Sequence, residues 1–133
     1  MLFMRPPSQN KAEYIENTLF GWRLLYGSGY ALNEEEAALR AARYYERAYL
    51  PYGITRQLAA TVALECLKPK LGAVEVPTLV IHGDEDPLFP IECGRDIAAT
   101  IPGAKMVVME GVGHALPPPI WPQLVKAIAT HAV

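Results

Sequence analysis

The sequence predicts an α/β protein whose first half is helical and whose second half alternates strand and helix. Residues 1 to about 68 place apolar side chains at three- and four-residue steps, the period of an amphipathic helix. Two short continuous apolar runs, Thr78-Leu79-Val80-Ile81 and Met106-Val107-Val108-Met109, read as strands buried on both faces. Each run is followed by a helix-compatible stretch, Ile91 to Thr100 and about Trp121 to Thr130. Strand, helix, strand, helix implies parallel strands with right-handed crossovers.

The helical half punctuates itself. Asn10 with Glu13 three residues on predicts a capping box, in which each side chain satisfies a free backbone N–H. Ile15, Leu19, Trp22 and Tyr26 then line one face until Gly27-Ser28-Gly29 breaks the pattern, read as a flexible link between helices. Asn33 opens a second helix with Glu34, Glu35 and Glu36 in its first turn, facing the positive end of the helix dipole. Glu36 and Arg40 are spaced for an i,i+4 ion pair. Pro51 and Gly53 end that helix, and a third segment from about Thr55 carries Leu58, Val62 and Cys66 before Pro69.

Composition excludes several classes of function. A net charge of -2, from 12 basic and 14 acidic residues, argues against nucleic acid or an anionic membrane as main partner. No apolar run approaches the ~20 residues of a membrane span, and Arg5-Pro6-Pro7 cuts short any signal-peptide core. Two cysteines, Cys66 and Cys93, make a disulfide framework improbable and set a reducing cytoplasm as the expected compartment. His82, His114 and His131 are scattered, and the glycines form no dinucleotide fingerprint, so neither a metal nor another cofactor is expected.

The loops after the two strands carry the chemistry. The first reads His82-Gly83-Asp84-Glu85-Asp86-Pro87-Leu88-Phe89-Pro90 and the second Glu110-Gly111-Val112-Gly113-His114-Ala115-Leu116-Pro117. Both lie at carboxyl ends of parallel strands, where open α/β sheets place functional groups. An acid on one such loop and a histidine on the next are two members of a Ser–Asp–His triad. The histidine takes the nucleophile's proton, and the carboxylate fixes its tautomer and stabilises the imidazolium. Asp86 also fits a simple turn before Pro87, Asp84 competes with it as a solvated loop charge, and His82 fits a packed structural histidine. His131, near the C-terminus, has no expected role.

Residues 76–133, with the Val76-Pro77-Thr78-Leu79-Val80-Ile81-His82-Gly83 run, Asp86-Pro87-Leu88, Pro90 and the Gly111-Val112-Gly113-His114 loop, resemble the C-terminal end of an α/β-hydrolase. The resemblance implies Asp86 as the triad acid and His114 as the base. Residues 5–70 resemble the helical cap inserted ahead of that segment, as in actinobacterial esterases similar to aclacinomycin methylesterases. Residues 1–70 are thus expected to form a cap and 71–133 the last two strand–helix units of an incomplete core.

That family's nucleophile sits in Gly-x-Ser-x-Gly on a sharp strand-to-helix turn, ahead of the acid and the base. The 133 residues contain no such motif and only two serines, Ser8 and Ser28, neither of which follows a strand. Cys93 comes after the acid on a helix and reads as a small packing residue. The expectation is an ester hydrolase component that supplies acid and base but is inactive alone. Its partners would be a small-molecule ester once an N-terminal half completes it, and other copies of itself, since two parallel strands leave an open edge. The alternative is a catalytically idle binding or assembly module. The cap aromatics Trp22, Tyr26, Tyr30, Tyr44, Tyr45 and Tyr49 suit a bulky apolar substrate group, but apolar stripes at helical spacing usually pack, which favours a cap core of their own.

Overall fold

In a computed structural model describing residues 6–63 and 67–132, Asn10 and Asn33 each start a helix of the first half. Helix α1 spans Lys11–Leu25, and the Asn10 side chain accepts the Glu13 N–H at 3.0 Å. The box closes differently from expectation, because the Glu13 carboxylate accepts the N–H of Gln9 at 2.8 Å rather than that of Asn10. Helix α2 spans Glu34–Ala48, capped by Asn33 accepting the Glu36 N–H at 3.2 Å. Arg40 does not serve the expected pair with Glu36. Its guanidinium lies 4.3 Å from the Trp22 ring centroid, and its Nε is buried without a hydrogen bond. A cation over an aromatic face is worth about 0.5–2 kcal/mol, against about 0.2–0.5 kcal/mol for an exposed i,i+4 pair.

Helix α3, Gly53–Ala63, begins two residues before the expected start. Its apolar stripe of Ile54, Leu58 and Val62 is 52–79% exposed. Cys66, assigned to this helix from the sequence, lies outside the described residues.

The strands form where the apolar runs are. β1 spans Leu79–Gly83 and β2 spans Lys105–Met109, paired in parallel with Ile81 opposite Val107 and Gly83 opposite Met109. Between them α5, Ile91–Thr100, packs on both strands. Its approach to β1 depends on Gly94, where a Cβ would stand 2.6 Å from His82 Nδ1. A short helix α4, Lys68–Leu71, precedes β1; Pro69 lies in its first turn, where a proline is compatible with a helix. After β2, a 3₁₀ turn at Pro118–Ile120 leads into α6, Trp121–His131.

The core of this half is Met109, Val112 and Ile120, each 1% exposed, with Tyr30, Ile81, Val107 and Leu124 packed around it. Burial of side chains of this size is worth about 1.5–3 kcal/mol each. The strands are less covered than their apolar runs predicted. All of β1 before Gly83 is half-buried, and Val108 of β2 is exposed. The sheet has two strands, so the runs encode more neighbours than the described residues supply.

The chain divides into two compact units, one within Met1–Arg23 and Leu32–Glu65, the other within Leu24–Ala31 and Cys66–Val133. The first is held by rings: Tyr14, Tyr45 and Tyr49 lie with centroids 4.9–5.4 Å apart, and Trp22 meets Tyr44 edge-on. The second contains both strands and, unexpectedly, the Leu24–Ala31 segment that joins α1 to α2.

Candidate active site

Asp86 and His114 meet. β1 delivers the chain to the Asp84–Asp86 turn and β2 delivers it to the Gly111–His114 loop, both at the carboxyl ends of the strands. His114 Nδ1 stands 2.8 Å from Asp86 Oδ2. A carboxylate only accepts, so this bond places the proton on Nδ1 and leaves the Nε2 lone pair free, the tautomer a general base requires.

The other oxygen of Asp86 does what the turn reading demanded. Oδ1 accepts the N–H groups of Leu88 at 2.8 Å and Phe89 at 3.0 Å. One oxygen of Asp86 thus faces His114 while the other closes the turn. The Asp86 side chain is 7% exposed and that of His114 42%, so the carboxylate is shielded and the imidazole is open. Burial pushes the Asp86 carboxyl upward, but the hydrogen bonds from the Phe89 N–H, from His114 and from the Leu88 N–H outweigh it. The net pKa lies below the usual aspartate value, and the group is ionised at neutral pH.

A lowered folded-state pKa stabilises the fold above the unfolded pKa, about 4, and that contribution is lost as pH falls through the folded value. The stability advantage of the wild type over Asp86→Asn, measured by denaturant unfolding, is therefore expected to shrink between about pH 7 and about pH 2. An advantage that stays constant over that range contradicts this account of Asp86.

The surrounding residues fix this pair. His82 Nε2 donates to the Phe89 carbonyl at 2.8 Å and lies 3.9 Å from Asp86 Oδ2. It is the structural histidine expected, and it steadies the turn whose N–H groups hold the acid. The Phe89 ring stands 5.7 Å from the His114 ring. Asp84 is exposed but not merely solvated, because its Oδ1 accepts the Gly111 N–H at 2.8 Å and ties the acid loop to the histidine loop. His131, assigned no role, has both ring nitrogens buried without a hydrogen-bond partner at the end of α6.

Ser28 is not on a flexible link. Its N–H and hydroxyl both donate to the Glu85 carboxylate, and these bonds hold the Glu85 carboxyl below its ordinary pKa. Gly27, at φ 82°, and Gly29 lie against the backbone of Gly111–Gly113 so closely that a Cβ on Gly27 would stand 2.4 Å from the Gly111 carbonyl oxygen. Cys93 departs from its reading as a packing residue. Its thiol is free and exposed, and it lines a cavity of about 450 Å³ with Ile81, Phe89, Met109, Leu116, Asp86 and His114. That volume lies within the range of small-molecule sites. Among the described residues no group of three or more acidic, histidine or cysteine side chains is arranged to hold a metal ion. No helix among them is long and apolar enough to cross a membrane.

The family model for the alpha/beta hydrolase fold matches residues 5–117. The chain belongs to the α/β-hydrolase fold family. Among curated relatives, rhodomycin D methylesterase DauP of Streptomyces sp. (strain C5) is 28% identical over 137 residues, spanning 98% of this chain and 44% of that protein. Rhodomycin D methylesterase DnrP of Streptomyces peucetius is 29% identical over the same spans. Among solved structures, the esterase RhEst1 from Rhodococcus sp. ECU1013 superposes with a TM-score of 0.65 at 21% identity, over 92% of this chain and 42% of that one. This α/β-hydrolase chain therefore spans less than half the length of these relatives.

Proposed function

We propose that the chain is the C-terminal part of a carboxylic ester hydrolase, contributing the triad acid Asp86 and base His114. The observation that carries this reading is the 2.8 Å bond between His114 Nδ1 and the buried, ionised Asp86 at adjacent strand ends. In the complete enzyme an upstream serine attacks the ester carbonyl while His114 Nε2 takes its proton. His114 then gives that proton to the departing alcohol and activates the water that releases the acid. Asp86 holds the imidazole in orientation and stabilises the imidazolium. The names of the two Streptomyces relatives favour a methyl ester as the bond cleaved. The mutual packing of Tyr14, Tyr45 and Tyr49 favours a core role for these cap aromatics over substrate contact.

The uncovered apolar surface supports a missing partner. Val125 and Ile128 of α6 are 63% and 50% exposed, and β1 pairs with a single neighbour. An N-terminal half would cover these surfaces, and in its absence we expect self-association through them. The two cysteines of these 133 residues support a reducing cytoplasm as the compartment.

The 133 residues contain no Gly-x-Ser-x-Gly, so the chain by itself is expected to hydrolyse p-nitrophenyl esters no faster than buffer. Turnover by the purified chain that disappears in His114→Ala would overturn the assignment of the nucleophile to another segment.

A further inference from the structure

The geometry points to Glu85 and Ser28 as positioning residues for His114, acting together as a clamp that fixes the histidine loop against the acid loop. The inference rests on the proposed role of His114 as the base, and it concerns what holds that base in place.

Three separate stretches of chain meet around His114, each bonded to the other two. The acid loop joins the histidine loop through Asp84 N–H to the Met109 carbonyl at 3.2 Å, Glu85 N–H to the Val112 carbonyl at 3.0 Å and Gly111 N–H to Asp84 Oδ1 at 2.8 Å. The histidine loop joins the Leu24–Ala31 segment through Gly113 N–H to the Tyr26 carbonyl at 3.1 Å and Ala115 N–H to the Leu25 carbonyl at 2.8 Å. These two bonds come from the residues immediately before and after His114, so the register of this segment sets where the imidazole stands. Gly29 N–H adds a third bond, to the Gly111 carbonyl at 2.9 Å.

The third side of the triangle closes on a single side chain, the Glu85 carboxylate. The Glu85 carboxylate, one residue before the acid, accepts both the N–H and the hydroxyl of Ser28. Without it the Leu24–Ala31 segment, which sets the register on both sides of His114, reaches the acid loop only indirectly, through the histidine loop. Hydrogen bonds to a charged acceptor are the stronger kind, and two donors from one residue on one carboxylate constrain orientation as well as distance. The bond between His114 and Asp86 has no such tolerance, since a base displaced by about 1 Å loses much of its effect. Glu85 and Ser28 touch neither substrate nor the reacting atoms; they act through the loop.

The test reads the His114 imidazole directly by NMR, in the 133-residue chain. In the wild type the Nδ1 proton, held by Asp86, is expected to give a resolved low-field signal whose exchange with water can be timed. Glu85→Ala is expected to speed that exchange about tenfold or more, Ser28→Ala by a smaller factor, and Glu85→Gln, which keeps an acceptor, to remain within about threefold of wild type. Exchange within twofold of wild type in both Ser28→Ala and Glu85→Ala overturns the clamp. Should Glu85→Ala not fold, Ser28→Ala against Glu85→Gln decides: faster exchange in the former alone supports the clamp, and no change in either overturns it. Asp86→Asn separates this inference from the functional reading. Loss of the low-field signal in Asp86→Asn shows that the pair exists whatever happens at Glu85. If the pair is intact but complete-enzyme activity is indifferent to His114→Ala, the functional reading fails and the clamp stands.

Discussion

Replacing His114 by alanine in the complete hydrolase is expected to lower kcat by about six orders of magnitude, with little change in KM. Asp86→Asn is expected to cost about four, because the amide no longer selects the tautomer that leaves Nε2 basic. The difference between the two follows from geometry. In the proposed mechanism His114 handles the proton itself, whereas Asp86 holds His114 through one oxygen while its other is committed to the Leu88 and Phe89 N–H groups. Combining the two substitutions is expected to cost no more than His114→Ala alone, since the carboxylate acts through the imidazole. Steady-state kinetics on a methyl or p-nitrophenyl ester check this. A histidine variant that keeps a tenth of wild-type kcat contradicts it.

The second large effect is on stability. Gly113→Ala is expected to destabilise the fold by about 3 kcal/mol, a fall in melting temperature of about 10 °C. A Cβ there would stand 2.3 Å from the Leu25 carbonyl oxygen and 2.8 Å from Gly27 N, both backbone atoms that cannot swing aside. Relief requires the two segments to part, which also weakens the Gly113–Tyr26 and Ala115–Leu25 bonds. Gly72→Ala is the control. Gly72 has φ -64° and nothing within 4 Å of an added Cβ, so its substitution is expected to change stability by less than about 0.5 kcal/mol. Equal melting temperatures for the two variants contradict the close packing described.

The parts of the fold legible in the sequence are those written locally. Asn33 capping α2, the apolar runs of β1 and β2 and the helix between them depend on residues a few positions apart. The approach of Asp86 and His114 was legible for a related reason: each lies on the loop that follows a strand, and parallel pairing brings those loops together. What escaped depends on distant partners. Gly27-Ser28-Gly29 has the composition of a flexible link, and only its fit against Gly111–Gly113 and the Ser28 bonds to Glu85, 57 residues away, turn it into a fixed strut. Cys93 reads as packing because small apolar side chains on a helix usually pack, yet it is exposed and lines the same cavity as Asp86 and His114. Arg40 left its expected partner because the Trp22 face, eighteen positions earlier in sequence, offered the better contact.

The central claim is that Asp86 and His114 are the acid and base of an ester hydrolase whose nucleophile lies on another segment. Its most direct test is ester turnover by this chain expressed together with the segment encoded immediately upstream of it. The account predicts that the pair hydrolyses p-nitrophenyl esters, that neither part does so alone, and that His114→Ala in this chain abolishes the joint activity. Joint activity that survives His114→Ala, or a folded assembly with no activity, would contradict it.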